Sequence, residues 1–309
     1  MLSSLIGVAT TVWQVAVLRS AAWAARGLRV PARNALLADV VPAEAYGRAY
    51  GFERAMDNLG AIIGPLLGIA LVAVVGVRSA ILLSLIPGLL AVAAIVYAIR
   101  AAKLPKVAHR QPIRLHVRPV LHGELGRLIA AITAFEIGNI AATLLILRAI
   151  ELLTPSHGAD SATQIALALY TSYNVAATAI SLPAGRFGDR RGPVPVLAAG
   201  TAAFALAYLT LAVTGDDLAA LGVGFVAAGI GIGCVETAEH AAVARLAPEA
   251  LRGSAFGMLA TIQSLGNFAA SAVAGLLWTL ISPAAAFVYL TAWMAVAFLA
   301  FTAAQGRRR

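Results

Sequence analysis

The sequence has little charge and little that is typical of a soluble protein. Of its 309 residues, 12% are Asp, Glu, Lys or Arg, whereas a soluble globular protein has about a quarter. Its one cysteine, Cys234, lies inside an apolar segment and offers neither a disulfide framework nor a zinc pattern. No glycine-rich phosphate-binding loop precedes a Lys-Ser or Lys-Thr pair, so ATP hydrolysis is not indicated. This composition is not that of a water-soluble enzyme.

Apolar residues fill the chain instead: 61% are hydrophobic, and the mean hydropathy is +0.86. A helix of about 20 apolar residues crosses a hydrocarbon core of roughly 30 Å. Residues 1–7 are expected to be the end of one such helix. The sequence predicts an all-α, polytopic helical membrane protein with about nine further membrane helices, at 12–40, 50–74, 79–99, 126–148, 163–184, 193–213, 218–246, 254–280 and 284–303.

The net charge of +9 is concentrated in alternate short gaps between the apolar segments. A basic protein can bind nucleic acid, but basic residues in short loops are typical of loops that stay on the cytoplasmic side of a membrane. The opposite gaps hold only Arg78 and Arg148, beside acidic residues. This asymmetry predicts a cytoplasmic C-terminus, with the lipid bilayer as the surroundings and no nucleic-acid partner. The basic gaps contain 100–121, Arg186, Arg190, Arg191, Arg252 and the tail 307–309.

The basic, proline-containing segment 100–121 divides the predicted helices into residues 1–99 and 122–309. Several residues of the first part recur 206 positions later without a gap, among them the pairs Pro42/Pro248, Gly47/Gly253, Gly51/Gly257, Leu59/Leu265 and Gly60/Gly266. Such a repeat is typical of a duplicated helical bundle. Counting back by this spacing leaves room for about three helices before Met1, so we expect the first bundle to be incomplete and the second to have six helices.

Four short motifs stand out in the predicted helices and loops. The segment 185–192 reads Gly-Arg-Phe-Gly-Asp-Arg-Arg-Gly and is expected to form a tight turn. In that turn, Asp189 can cap the N-terminus of a neighbouring helix. The key residues of this first motif are Gly185, Asp189, Arg190 and Gly192. The second motif is a glycine pattern in the second helix, formed by Gly51, Gly60, Gly64, Pro65 and Gly68. The other two are Arg19, placed 23 residues before Pro42, and the related runs 27–39 and 235–241.

On these motifs and the repeat, the sequence resembles the major facilitator superfamily. The resemblance implies a two-bundle fold and transport of small molecules by alternating access. It identifies 185–192 as the superfamily's cytoplasmic loop signature and the glycine pattern as similar to the motif of drug:proton exporters, with Ile69 in place of the final glycine. Without that resemblance, the first motif is an ordinary basic turn and the second a closely packed helix face. Arg19 resembles a buried arginine linked to proton transfer, although Trp23 replaces a glycine there.

Charged residues inside the predicted helices are costly, at least about 2.5–3.5 kcal/mol each at the bilayer centre. Arg19, Arg26, Arg29 and Arg33 form one stripe on the first helix and are expected to face the interior. Such residues need either a cavity or a partner. They are therefore candidates for lining the transport path.

Glu136 lies about 10 residues, or ~15 Å, inside its helix, with Asn139 one turn further on. A buried carboxyl holds a proton more readily than an exposed one, so Glu136 is a candidate for proton coupling. The alternative is a structural acid paired with an arginine. Asn174 is a further candidate, either as a cavity residue or as a hydrogen-bonding group between helices.

Glu236, Glu239 and His240 form a second polar cluster on the helix 218–246. We expect Arg29 or Arg33 to pair with one of these glutamates and close a cytoplasmic gate. A metal site from this cluster is the weaker alternative, because a fourth ligand is missing. Glu53, Arg54 and Asp57 are expected to pair within one helix turn or with the nearby arginines. Gln263 and Asn267 are expected to line a cavity or to form hydrogen bonds between helices.

Taken together, the sequence predicts a secondary transporter, an antiporter for small-molecule efflux driven by protons, in the plasma (inner) membrane. No cofactor and no metal are expected, and no nucleophile, base and orienting group are arranged as in an enzyme. The alternative is a truncated remnant that does not transport, or a subunit that needs a partner to supply the missing helices.

Overall fold

The computed structural model describes residues 3–101 and 117–306, and its regular elements there are all helical. Most of the predicted linker 100–121 and the basic tail 307–309 lie outside these residues. Short 3₁₀ turns occur at Ser4–Val8, Ala43–Ala45 and Glu249–Leu251. The α-helices are α1 (Val12–Val40), α2 (Tyr46–Leu83), α3 (Leu85–Ala101), α4 (Val117–Val120), α5 (Gly123–Glu136), α6 (Ala142–His157), α7 (Ala159–Arg191), α8 (Val194–Val213), α9 (Leu218–Leu246), α10 (Arg252–Leu280) and α11 (Pro283–Gly306).

The all-helical fold is the one predicted, and each of the nine predicted segments overlaps a helix. Within the described residues, six helical segments are long and apolar enough to cross a membrane. One of them, Ala43–Tyr97, has 55 residues, far more than one crossing needs. The count of nine crossings therefore stays a prediction. Where a helix end was expected at 1–7, the structure has the 3₁₀ turn Ser4–Val8.

The long helix α2 is interrupted at Gly76. Its φ of 78° and ψ of 166° lie in a region that L residues other than glycine rarely adopt. The sequence separated two predicted helices, 50–74 and 79–99, at this same point. Gly76 thus allows the chain to change direction inside a continuous apolar stretch.

The predicted continuous helix 126–148 is wrong, because α5 ends at Glu136 and α6 begins at Ala142. Hydrophobic periodicity did not show this break, since the intervening residues are mostly apolar. Gly138 lies in the break, where a Cβ would overlap the ring of Trp293. Close packing of α11 thus requires glycine at this position.

Side chains of other helices bind the backbone that the break leaves without helical hydrogen bonds. The backbone N–H of Ile140 donates to the hydroxyl of Tyr208 at 3.4 Å, and that of Ala141 donates to Ser271 Oγ at 3.1 Å. Tyr208 is on α8 and Ser271 is on α10. A buried unpaired N–H costs about 1–3 kcal/mol. These two hydrogen bonds remove that cost and so stabilise the break between α5 and α6.

Arg148 was placed in an outer loop from the sequence, and that placement is wrong. It lies inside α6 and is buried, with Nε donating to the carbonyl of Leu211 at 3.2 Å. Its guanidinium also lies 3.2 Å from the carboxylate of Glu151, one turn away. The arginine therefore binds the last turn of α8, where carbonyls lack helical partners.

By contacts, the described residues form two compact units, one of 3–40 and 63–101 and the other of 41–62 and 117–306. The second unit contains the main aromatic core, in which the rings of Phe204 and Tyr208 are 5.6 Å apart and fully or nearly fully buried. In the first unit most apolar side chains of α1 are exposed, as expected for a surface facing lipid or further helices. The predicted division at 100–121 follows the internal repeat rather than these contacts and stays a prediction.

Two contacts in the second unit join positions related by the internal repeat. Arg252 donates to the hydroxyl of Tyr46 at 3.0 Å, and the rings of Tyr50 and Phe256 lie 5.9 Å apart. Both pairs are separated by 206 residues, the offset found in the sequence. Equivalent positions meet in this way where a two-fold axis passes between them. The contacts therefore support the duplication of the bundle.

Candidate functional site

The segment 185–192 was expected to be a loop, and that expectation is wrong for most of it. Helix α7 continues through Arg191, and only Gly192 leaves the helix, with φ of 86°. Gly185 serves a different purpose: a Cβ there would overlap the carbonyl oxygen of Gly47, and the reverse also holds. The glycine allows the backbones of α7 and α2 to touch.

Asp189 lies where these two helices touch, at the N-terminus of α2. Its carboxylate accepts the backbone N–H of Gly47 at 2.7 Å and that of Arg48 at 3.0 Å. The side chains of Arg48 and Arg245 also donate to it, at 3.2 and 3.1 Å. A carboxylate is favoured here because the first N–H groups of a helix lack partners and carry partial positive charge. One side chain thus joins α2, α7 and α9.

A second ionic contact joins α2 and α9 about two turns further along α2. Arg54 pairs with Glu53 at 2.6 Å and with Asp57 at 3.1 Å, as the sequence predicted. It also reaches Glu236 on α9, with an N–O distance of 3.5 Å. The sequence gave no reason to choose Arg54 as a partner of Glu236, since their contact depends on how the helices pack.

The predicted cluster on α9 is divided by the structure into three environments. Glu236 binds Arg54, and the carboxylate of Glu239 instead accepts the amide of Gln263 at 3.0 Å. His240 packs against the rings of Tyr50 and Phe256, which also contact each other. Throughout the part of the chain that the structure describes, no group of three or more His, Cys, Asp or Glu side chains is placed to hold a metal ion.

Glu136 and its neighbours form a polar network at the helix break. Asn139 donates to the Glu136 carboxylate at 3.0 Å, and Asn267 donates to the backbone oxygen of Asn139 at 2.9 Å. A Cβ at Gly266 would lie only 2.6 Å from the Cβ of Glu136. Helix α10 therefore packs directly on the glutamate. This glycine, like the one at the α2–α7 contact, is needed for close approach.

Helix α10 links this network to the second glutamate. Gln263, which binds Glu239, and Asn267, which binds the break, are four residues apart and lie on one face of α10. Glu136 is 3% exposed and Glu239 is fully buried. Among the described residues, the carboxylates of Glu136 and Glu239 each accept one hydrogen bond, from a neutral amide, and neither has an ion pair. The Oε1 atom of Glu239 is buried and has no hydrogen-bond partner. Two acidic side chains are thus enclosed without a positive partner.

The remaining predicted residues are less involved in this network. Asn174 is buried and donates to the carbonyl of Tyr170 in its own helix, rather than to another helix. The guanidinium of Arg26 lies 5.8 Å from the ring centre of Trp23. In the basic stripe, Arg19, Arg26 and Arg29 are exposed and Arg33 is half-buried. In the glycine pattern, Cβ atoms at Gly60, Gly64 and Gly68 would meet no described atom within 4 Å.

The stripe on α1 therefore ranges from exposed at Arg19 to half-buried at Arg33, and its place along a transport path stays a prediction. In the glycine pattern, close approach occurs at Gly51, where a Cβ would lie 2.5 Å from the carbonyl oxygen of Ser181. Pro65 lies within α2.

Sequence reasoning missed Tyr208, Ser271 and Arg245, because a polar group at the surface of a helix does not reveal its partner.

Comparison with known proteins identifies the family. The sequence profile of the Major Facilitator Superfamily matches residues 1–160 and 128–309. An uncharacterized MFS-type transporter of Methanocaldococcus jannaschii is 29% identical over 271 residues, which cover 85% of this chain and 65% of that protein. An uncharacterized protein of Mycobacterium bovis is 26% identical over 268 residues, covering 83% of this chain and 62% of that protein. The chain thus spans less than two thirds of the length of these relatives.

Solved structures show the same fold. The human organic anion transporter MFSD10 (TETRAN) superposes with a TM-score of 0.73 at 17% identity, over 97% of this chain and 74% of that one. A bacterial homologue of the iron transporter ferroportin, in an outward-facing state, gives a TM-score of 0.67 at 14% identity, over 99% and 80% of the two chains. With the sequence profile matching nearly the whole chain and several long apolar helices, this chain is an integral, multi-pass membrane protein that belongs to the major facilitator superfamily.

Proposed function

We propose that the protein is a secondary active transporter that exports small molecules in exchange for protons by alternating access. The observation that carries this proposal is the pair Glu136 and Glu239, both buried and each bound by one neutral amide. Glu136 lies at a helix break, Glu239 is linked to that break through Gln263 and Asn267 on α10, and broken helices of secondary transporters commonly hold their coupling-ion sites. The proposed location is the plasma membrane.

Protons fit this site because an isolated ionised carboxylate is costly in a low-dielectric interior. Adding a proton removes the charge and leaves the amide hydrogen bonds to Glu136 and Glu239 possible. An arginine partner would instead keep such a carboxylate ionised, and none pairs with either glutamate among the described residues. Each glutamate is therefore proposed to bind and release a proton during the transport cycle.

The contacts of Asp189 and Arg54 are proposed to close one end of the transport path. Both connect the start of α2 to α9. They lie at the end of the helices that carries Arg48, Arg191 and Arg245, which we call the arginine-rich end. The positive-inside rule assigns that end to the cytoplasm. Opening to the cytoplasm then requires Asp189 and Glu236 to give up these bonds, and opening to the outside leaves them intact.

The proposal is tested by efflux of ethidium, a fluorescent probe, from cells that lack their own exporters. We expect efflux by the full chain to stop when a protonophore removes the proton gradient. Glu136→Gln and Glu239→Gln keep the size of the side chain but replace the titrating carboxyl with an amide. Each is therefore expected to reduce gradient-driven efflux at least about tenfold. Equilibration of the probe without a gradient is expected to continue, because the path itself is unchanged.

Glu249→Gln is the matched control, since this glutamate is exposed in the turn before α10. Its efflux is expected to equal that of the unchanged protein. Amounts of each variant in the membrane are compared by immunoblot, which separates loss of coupling from loss of protein. Gradient-driven efflux that persists in both buried variants would exclude these carboxyls as proton carriers.

A further inference from the structure

A cavity of about 130 Å³ opens at the arginine-rich end of the second unit, among α5, α8, α9 and α11. Its inner wall is apolar and is formed by the buried side chains Leu128, Ala242 and Phe301. Its lining also contains Arg127, Arg245 and Glu124. One part of the cavity therefore suits an apolar group, and another suits a negatively charged group.

The side chains that line this cavity carry one more positive than negative charge, and Arg245 among them also pairs with Asp189 outside the lining. Two arginines face one glutamate, and the lining includes Pro193 and Val194 at the N-terminus of α8, where helix N–H groups add partial positive charge. Arg127 is exposed and makes no hydrogen bond or ion pair with any other residue in 3–101 or 117–306. Its guanidinium is thus available to a ligand.

Arg245 binds Asp189 through one terminal nitrogen, at 3.1 Å. A guanidinium has five N–H groups in a planar fork, so one contact leaves donors for a second anion. Arginine is well suited to phosphate because two of its N–H groups can bind two phosphate oxygens. Arg127 and Arg245 can therefore contribute donors to one phosphate from α5 and α9.

We propose that this cavity binds the phosphate headgroup of an anionic phospholipid. The two arginines and the α8 N-terminus match the charge of the phosphate, and the apolar wall matches the start of the lipid chains. Basic pockets between membrane helices on the cytoplasmic side are known to favour anionic headgroups. The sequence assigns the arginine-rich end to this side. The proposal is independent of proton coupling, since it uses neither Glu136 nor Glu239.

The test is native mass spectrometry of the purified full chain titrated with phosphatidylglycerol or phosphatidylcholine. Phosphatidylglycerol is expected to bind at least about fivefold more tightly, since each arginine near an anionic headgroup contributes about 1 kcal/mol. Arg127→Gln is expected to reduce that preference about fivefold. Arg186→Gln is the matched control, because Arg186 is exposed at the same end but does not line the cavity.

A second variant tests the cavity without changing its charge. Ala242→Leu adds three carbon atoms to the inner wall and is expected to reduce phosphatidylglycerol binding at least about fivefold, with the arginines intact. Melting curves in detergent establish that Arg127→Gln and Ala242→Leu are folded; if Ala242→Leu is not, Ala242→Val replaces it. The proposal is overturned if Arg127→Gln binds phosphatidylglycerol as Arg186→Gln does.

Competition with inorganic phosphate distinguishes a lipid from a free anion. We expect millimolar phosphate to leave phosphatidylglycerol binding unchanged within about twofold, since the apolar wall contributes only to lipid binding. Complete displacement by phosphate, with equal sensitivity to Arg127→Gln, would show that the cavity binds free anions and would overturn the lipid assignment. Equal binding of both lipids would overturn it as well.

Discussion

Asp189→Asn is expected to weaken the contact between α2, α7 and α9. The aspartate accepts four hydrogen bonds, two from backbone N–H groups and two from the arginines Arg48 and Arg245. Asparagine keeps one accepting oxygen and places an NH₂ group against donors. Its side chain also lacks the negative charge that favours the N-terminus of α2. The change thus affects every bond at this position.

The magnitude follows from how enclosed each bond is. The Asp189 side chain is 7% exposed, whereas that of Arg48 is 55% exposed, so water replaces much of the Arg48 contribution. The backbone bonds and the Arg245 bond are charge-assisted and contribute about 1.5–3 kcal/mol each before allowing for what asparagine retains. We expect a net loss of about 2–4 kcal/mol, which shifts the equilibrium from contact to separation about 30- to 1000-fold.

Distances between spin labels measure this shift. Labels at Glu44→Cys and Glu249→Cys are placed on exposed turns before α2 and α10, in a Cys234→Ala background because Cys234 is the one native cysteine. Pulsed electron paramagnetic resonance is expected to show an additional, longer distance between the two labels in the Asp189→Asn protein. The exposed Asp160 at the start of α7 provides the control Asp160→Asn, which should keep the unchanged distribution. An identical distribution in the Asp189→Asn protein would refute the reasoning.

Two packing variants test other parts of the fold. Gly185→Ala is expected to destabilise the protein by about 1–3 kcal/mol, seen as a lower melting temperature in detergent, because its Cβ would overlap the carbonyl of Gly47. Gly188→Ala, whose Cβ would have ordinary contacts of 3.6 Å or more, should change it little; equal effects would contradict this account. Tyr208→Phe leaves the N–H of Ile140 without its acceptor, and it is expected to lower the stability of the protein by about 1–3 kcal/mol. Amide hydrogen exchange at Ile140 should become faster, and unchanged exchange there would contradict the assignment.

Several features could be predicted because they depend on local residue types. Helix α9 has the predicted bounds 218–246, since Asp217 caps its start and Pro248 closely follows its end. The Arg54 pairs with Glu53 and Asp57 follow from spacing along one helix turn. Asn139 also binds Glu136 as its spacing indicated. In each case the interacting groups are close in sequence.

The features that could not be predicted depend on residues far apart in sequence. The break between α5 and α6 is fixed by Tyr208 and Ser271 on other helices, and an apolar segment around Gly138 gave no separate signal. The segment 185–192 has the residues of a turn, but α7 continues through it. There, Gly185 is needed for contact with Gly47 rather than for a turn.

The sequence by itself determined that the chain is helical and enters a membrane, because 61% hydrophobic residues in long runs leave few other ways to satisfy the backbone. It also determined the repeat of 206 residues. Only the tertiary structure decided that Arg54 meets Glu236, that the helix capped by Asp189 is α2, and that Glu239 is enclosed with one amide. Periodicity shows which face of a helix is apolar, but the partner of a buried polar group depends on how the helices pack.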